Sequence, residues 1–164
     1  MPEAYTLIGR GRLGVWEIVA PLREPSPTLL ENLRRLDSFA VNASEAGKEL
    51  LIDVLLAEIV PLHPNLRVWK DAPLETDTLT GSADYCLAEM YACRQNNLAA
   101  GLKTDVYGIV SNGQGWVFYR WDAEDTEFGR TILISIDSLP RLLGAIDNIC
   151  AACEAQVVAA PTNP

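Results

Sequence analysis

The chain has 164 residues, 49% of them hydrophobic and 21% charged, which points to one packed globular domain and argues against a disordered or low-complexity polymer. Thirteen Lys and Arg against 22 Asp and Glu leave a net charge of −9, so most of the surface repels a polyanion and DNA is at best a weak partner. The apolar run Leu50–Val60 is interrupted by Asp53, Ala57 and Glu58, and no basic leader precedes an apolar segment near Met1; no membrane association is expected, and the cytoplasm is the expected compartment.

The first 25 residues are poorly periodic, with Gly9, Gly11, Gly14, Pro21 and Pro25, and a short strand is expected within Leu13–Val19. Ser26-Pro27 has the form of an N-cap followed by proline at the first helical position. Leu29, Leu30, Leu33 and Leu36 then share one face of a helix running to about Ser38. Ser44 opens a second helix that continues to the Pro61 and Pro64 breaks. Its apolar residues cover nearly the whole circumference, which predicts burial between layers. Glu45, Glu49 and Asp53 recur every four residues and draw one acidic row along it.

Leu66–Lys70 alternates as a strand does, and a link through Pro73 leads to a second strand near Leu79–Tyr85, with Asp84 at its end. Leu87, Met90, Tyr91, Arg94 and Leu98 keep helical spacing up to Gly101, a suitable C-terminal stop. Val106–Val110 and Trp116–Trp121 flank Ser111-Asn112-Gly113-Gln114-Gly115, the composition of a tight hairpin turn. After a solvated turn at Asp122–Asp125, a strand is expected over Thr131–Ile136. A last helix starts near Asp137 or Ser138 with a core stripe of Leu139, Leu142, Leu143, Ile146, Ile149, Cys150 and Cys153. The expected fold is α/β, a mixed sheet flanked by helices, in a single domain over residues 1–158 with its core at about 27–158 and a disordered tail over 159–164.

Four stretches carry a resemblance. They are Ser44-Glu-Ala-Gly-Lys-Glu-Leu-Leu-Ile-Asp53, Leu79-Thr-Gly-Ser-Ala-Asp-Tyr85, Leu87-Ala-Glu-Met-Tyr-Ala-Cys93 and Val106-Tyr-Gly-Ile-Val-Ser-Asn-Gly113. Together they resemble an uncharacterised branch of the PD-(D/E)XK, or restriction-endonuclease-like, nuclease superfamily, over roughly Leu29–Cys153. The resemblance implies a restriction-endonuclease-like sheet. It also implies a site in which a helical glutamate, a strand-end aspartate and an acid-x-lysine on the next strand bind Mg²⁺ or Mn²⁺ and activate water against a phosphodiester. Glu49, with Glu45 as its rival, matches the helical acid, and Asp84 matches the strand aspartate. Both would be metal ligands and catalytic residues, since Mg²⁺ takes hard oxygen ligands and keeps waters that serve as nucleophile.

The chain departs from this pattern after Tyr85. Where the family places a turn and a strand ending in acid-x-lysine, Cys86-Leu87-Ala88-Glu89 begins a helix at once. The sheet is therefore expected to be shortened, and Glu49 and Asp84 to be vestigial. Three readings stay open: a degenerate, non-catalytic member of the superfamily; an active Mg²⁺-dependent DNA endonuclease recruiting Lys70, Glu75 or Asp77; and a homo-oligomeric or protein-interaction module.

Other motifs are weaker. Cys150-Ala-Ala-Cys153 lies late on an apolar helical stripe, where small buried thiols are routine and zinc or redox chemistry is not expected. His63 is the single histidine, which leaves a histidine-based triad or multi-histidine metal site nothing to build with. Gly9-x-Gly11-x-x-Gly14 opens no helix and is a chance match to a dinucleotide fingerprint. Trp116, Phe118, Tyr119 and Trp121 suit a packed sheet face better than a base-stacking platform.

Overall fold

The structure, a computed structural model, describes residues 14–39, 41, 44–66, 74–76, 79–81, 86–124 and 127–159. In chain order the elements are β1 (Gly14–Val15), α1 (Pro27–Leu36), α2 (Glu45–Ile59) with a 3₁₀ turn Val60–Leu62, β2 (Leu74–Thr76), β3 (Leu79–Gly81), α3 (Cys86–Ala99), β4 (Val106–Ser111), β5 (Gly115–Trp121), β6 (Phe128–Arg130), β7 (Ile134–Ser135), a 3₁₀ turn Ile136–Ser138 and α4 (Leu139–Ala159). The fold class is mixed α/β. Strands β1-β6-β5-β4 form one sheet in that order and β7 also pairs with β5, five strands in all; β1 runs parallel to β6 and β6 antiparallel to β5, so the sheet is mixed. Among the described residues β2 and β3 pair only with each other, as an antiparallel two-stranded sheet.

Local chemistry accounts for most element boundaries. Ser26 Oγ accepts from Leu29 N–H at 3.1 Å, with Pro27 at the first helical position, and Ser44 Oγ accepts from Gly47 N–H at the same distance. At the end of α3, Gly101 takes φ 74°, Leu102 N–H bonds to Asn97 O and Gly101 N–H to Leu98 O, a Schellman termination that satisfies the last carbonyls. In the β4–β5 turn Gly113 takes φ 90°, while Asn112 Oδ1 accepts from Gln114 N–H and Gly115 N–H at 3.1 and 2.8 Å.

The chain divides into two compact units, residues 1–17, 69–110 and 118–132 in one and residues 18–68, 111–117 and 133–164 in the other. In the first, Met90, Val106 and Trp121 form a buried cluster with Tyr119 and Phe128 packed against it. The Phe128 ring meets Trp121 edge-on at 5.8 Å and stacks on Tyr119 at 6.0 Å. The Arg94 guanidinium lies 5.0 Å from the Trp121 ring and donates to Asp122 O and Ala123 O, holding the β5–β6 turn to α3. Asp105 accepts from Arg120 Nε at 2.7 Å and from Ala123 N–H at 2.9 Å on the same side of the turn.

The second unit is mainly helical. Helix α2 packs against α1 and α4, and α4 packs against β7. Leu29, Leu51, Leu55, Ile59, Ile134, Leu142, Leu143, Ala145, Ile146 and Ile149 are buried there. At Gly144 a Cβ would collide with the Pro21 carbonyl oxygen, so the incoming segment crosses α4 where that helix has no side chain. Arg23 N–H then bonds to Pro140 O at 2.9 Å.

Several expectations are corrected. Helix α2 buries only the line Leu51, Leu55 and Ile59, and Leu50 and Glu49 face solvent, because neighbours cover one side and much of its remaining apolar surface lines an open cleft. Of the strand expected over Thr131–Ile136 only Ile134–Ser135 forms; a separate strand, Phe128–Arg130, precedes it, and Ile132 and Leu133 between them are exposed. Thr131 Oγ1 takes the Phe118 N–H at 3.1 Å while Thr131 N–H bonds to Phe118 O, so a side chain replaces a ladder carbonyl and β6 stops. Trp116 and Phe118 lie on the opposite face of β5 from Tyr119 and Trp121, and side chains on both faces are covered, not one. The first-strand expectation shrinks to Gly14–Val15. The stretch Ile136–Ala159 is long and apolar enough to cross a membrane by length and composition alone, and its inward side chains belong to the core of the helical unit. Of the expected strand Leu66–Lys70, Leu66 is not in a strand and residues 67–70 lie outside the described residues, as do the Pro73 link, Gly9, Gly11, Asp125 and the tail from 160 onward.

Candidate functional site

The acids singled out by the resemblance are not assembled into a site by the described residues. Glu49 is exposed on α2; Glu45, one turn before it, pairs with Lys48 Nζ at 2.7 Å; Asp53 lines a cleft with Leu56, Ala57, Val60, Pro61, His63, Pro64 and Leu66. Asp84, Lys70 and Asp77 lie outside the described residues, and Glu75 sits in β2. Glu49 belongs to the helical unit. Among the described residues no group of three or more His, Cys, Asp or Glu side chains is placed to hold a metal ion. An exposed glutamate on its own does not fit a resident Mg²⁺ or Mn²⁺, which needs several converging oxygens.

The polar cluster that is assembled centres on His63, 7% exposed. The 3₁₀ turn after α2, with Pro61 inside it, swings the ring toward α4. There Nε2 meets Asp147 Oδ1 at 2.8 Å and Nδ1 meets Glu154 Oε2 at 3.1 Å. Asp147 Oδ2 accepts from Arg23 Nη1 at 2.9 Å. Glu154 Oε1 accepts from Asn65 N–H at 2.9 Å and Asn65 Nδ2 at 3.0 Å. The Asn65 backbone N–H, first among these, with the His63 ring and Asn65 amide behind it, holds the Glu154 carboxyl below the usual glutamate range. Asp147 and Glu154 sit seven residues apart on one face of α4, and Cys150 lies between them. Burial, aided by the charges nearby, pushes the Cys150 thiol up to about 11, so it stays protonated and inert near neutrality.

This arrangement restricts what the ring does. Ionised carboxylates only accept, so both contacts are hydrogen bonds only when both ring nitrogens carry protons. With both nitrogens protonated, the ring offers no lone pair to a metal and no free nitrogen to a substrate proton. The cluster is a tie between the Val60–Leu66 segment and α4. It bounds a cleft of about 460 Å³ to which Pro61, His63 and Pro64 contribute.

Sequence reasoning missed this cluster because it sought histidine partners for His63. The available signal was a pair of acids at i and i+7 on an otherwise apolar helix, since such charges rarely enter a packed face unpaired. Comparison of the chain with protein-family models, with curated proteins and with solved structures finds no match.

Proposed function

We propose that the chain is a degenerate PD-(D/E)XK-like domain without catalysis. The observation that carries the reading is the spacing of two elements: β3 ends at Gly81 and α3 begins at Cys86. The four residues 82–85 leave no room for a turn, a strand of ordinary length and a second connection. The lysine that would steady charge on an attacked phosphate therefore has no strand to stand on, and two acids alone provide neither that charge nor a third ligand. The order α2, β2–β3, α3, then β4–β5 agrees with the order of the resembling segments, and the pairing of β2 and β3 only with each other among the described residues agrees with a reduced sheet.

The test is a cleavage assay on linear, supercoiled and single-stranded DNA with Mg²⁺ or Mn²⁺. The protein is expected to cut no faster than a Glu49→Ala, Asp84→Ala double variant. Metal-dependent cutting that the double variant lacks overturns the reading in favour of an endonuclease.

A second reading, a protein-interaction or homo-oligomeric module, is favoured by the exposed apolar side chains Val19, Leu22, Leu30 and Phe39 along the start of the helical unit. Light scattering across a concentration series separates it from a monomeric domain.

A further inference from the structure

We propose that His63 is a proton-dependent clasp: doubly protonated, its ring ties the Val60–Leu66 segment to Asp147 and Glu154 of α4, and loss of one ring proton releases the Glu154 side. The geometry carries this. Each ring nitrogen faces a carboxylate oxygen, at 2.8 Å for Nε2 and 3.1 Å for Nδ1. A neutral imidazole has one N–H, so one of the two contacts becomes a lone pair set against a carboxylate in a site shielded from water. The ring side chain is only 9% exposed, which leaves little solvent to screen that repulsion.

The two ends of the clasp are not equivalent. Asp147 is fixed from its other oxygen by Arg23 and makes the shorter contact. Glu154 makes the longer contact, and its other oxygen holds only Asn65, which belongs to the same segment as His63. The singly protonated ring therefore keeps its proton on Nε2 toward Asp147 and turns Nδ1 away from Glu154. The charged and titratable groups around the ring are Asp147, Glu154 and the Cys150 thiol on α4, Arg23 behind Asp147, and Asp53 on α2, which lines the same cleft. Of these, the Cys150 thiol stays protonated and so brings no charge to the ring. The segment forms one wall of the cleft beside α2, so the Nδ1 proton sets one of the ties that hold that wall, beside those from Nε2 to Asp147 and from Asn65 to Glu154.

His63 is the only histidine in the chain, so its ring ¹⁵N signals are followed in the intact protein without ambiguity. Across a pH titration, ring signals of the doubly protonated form are expected to give way to those of the Nε2–H tautomer. The Asn65 backbone amide, which reports the position of Glu154, is expected to shift with the same midpoint. In His63→Gln that amide stays put over the range. The proposal is overturned if the wild-type ring is already neutral throughout, or if it loses its proton while the Asn65 amide does not respond. The wild-type coincidence alone decides the matter should the variant not fold. DNA cleavage is not read at any point, so failure of the clasp and failure of the nuclease-like reading are distinguishable.

Discussion

The Ser26 hydroxyl donates to Glu58 Oε2 at 2.8 Å while Ser26 N–H donates to Glu58 Oε1 at 2.9 Å, so one carboxylate on α2 grips the N-cap residue of α1 at both of its polar groups. The same hydroxyl caps the helix through Leu29 N–H. Ser26→Ala removes the cap and one of the carboxylate's two donors, with an expected loss of about 1–3 kcal/mol in urea denaturation. Glu58→Gln should cost less. The double variant should lose less than the sum of the singles, since the two residues share one interaction. Strict additivity would show that the grip contributes nothing.

Arg94, 7% exposed, lies over Trp121 and donates to two carbonyls of the following turn. Arg94→Met keeps much of the apolar stem but leaves both carbonyls without that donor, with an expected cost of about 2–4 kcal/mol. Arg94→Lys should recover only part of it, because an ammonium does not reproduce the planar fork. Thermal midpoints of the three proteins, with Trp fluorescence as the probe, check the order.

Glu154 has its folded-state pKa lowered, first by the Asn65 backbone N–H. A lowered carboxyl pKa contributes stability that is present above the unfolded value, about 4.3, and is lost as pH falls through the folded value. The acid limb of the stability–pH curve should therefore be shallower in Glu154→Gln than in the wild type. Denaturant midpoints measured below about pH 5 test this, and parallel acid limbs would refute it.

The thiols should react in a fixed order. Cys93 is exposed, while Cys150 is half-buried with its pKa raised to about 11. Relative to an ordinary thiol, that shift lowers the thiolate fraction near neutrality by about two to three orders of magnitude. Mass spectrometry after timed iodoacetamide treatment should find Cys93 modified early and Cys150 late, and no Cys150–Cys153 disulfide should form readily.

Much of the fold was legible because its signals are local. Ser26-Pro27, Ser44, Gly101 and the Asn112-Gly113 turn act within a few residues, and each stands where its chemistry placed it. What failed depended on partners distant in sequence. The burial of α2 could not be read from its composition, since a helix apolar all round is covered only where neighbours reach it, and Leu50 is left 44% exposed. The end of β6 depended on Thr131 using its hydroxyl on Phe118, thirteen residues away, which periodicity does not encode. The His63 cluster spans 84 and 91 residues to Asp147 and Glu154, so it emerged only when the helices were packed. The candidate metal ligands were legible as residue types alone: Glu49 proves exposed, and Asp84 lies beyond the described residues.

The bare position at Gly144 does more than make room. Because the Pro21 carbonyl fits against α4 only where no methyl projects, the crossing acts as an index pin along the helix axis. Advancing α4 by one residue along its own screw in either direction would bring Leu143 or Ala145 under that oxygen. A single hydrogen atom in place of a side chain thus fixes the phase of the helix, and with it which acid meets Arg23 three residues further on.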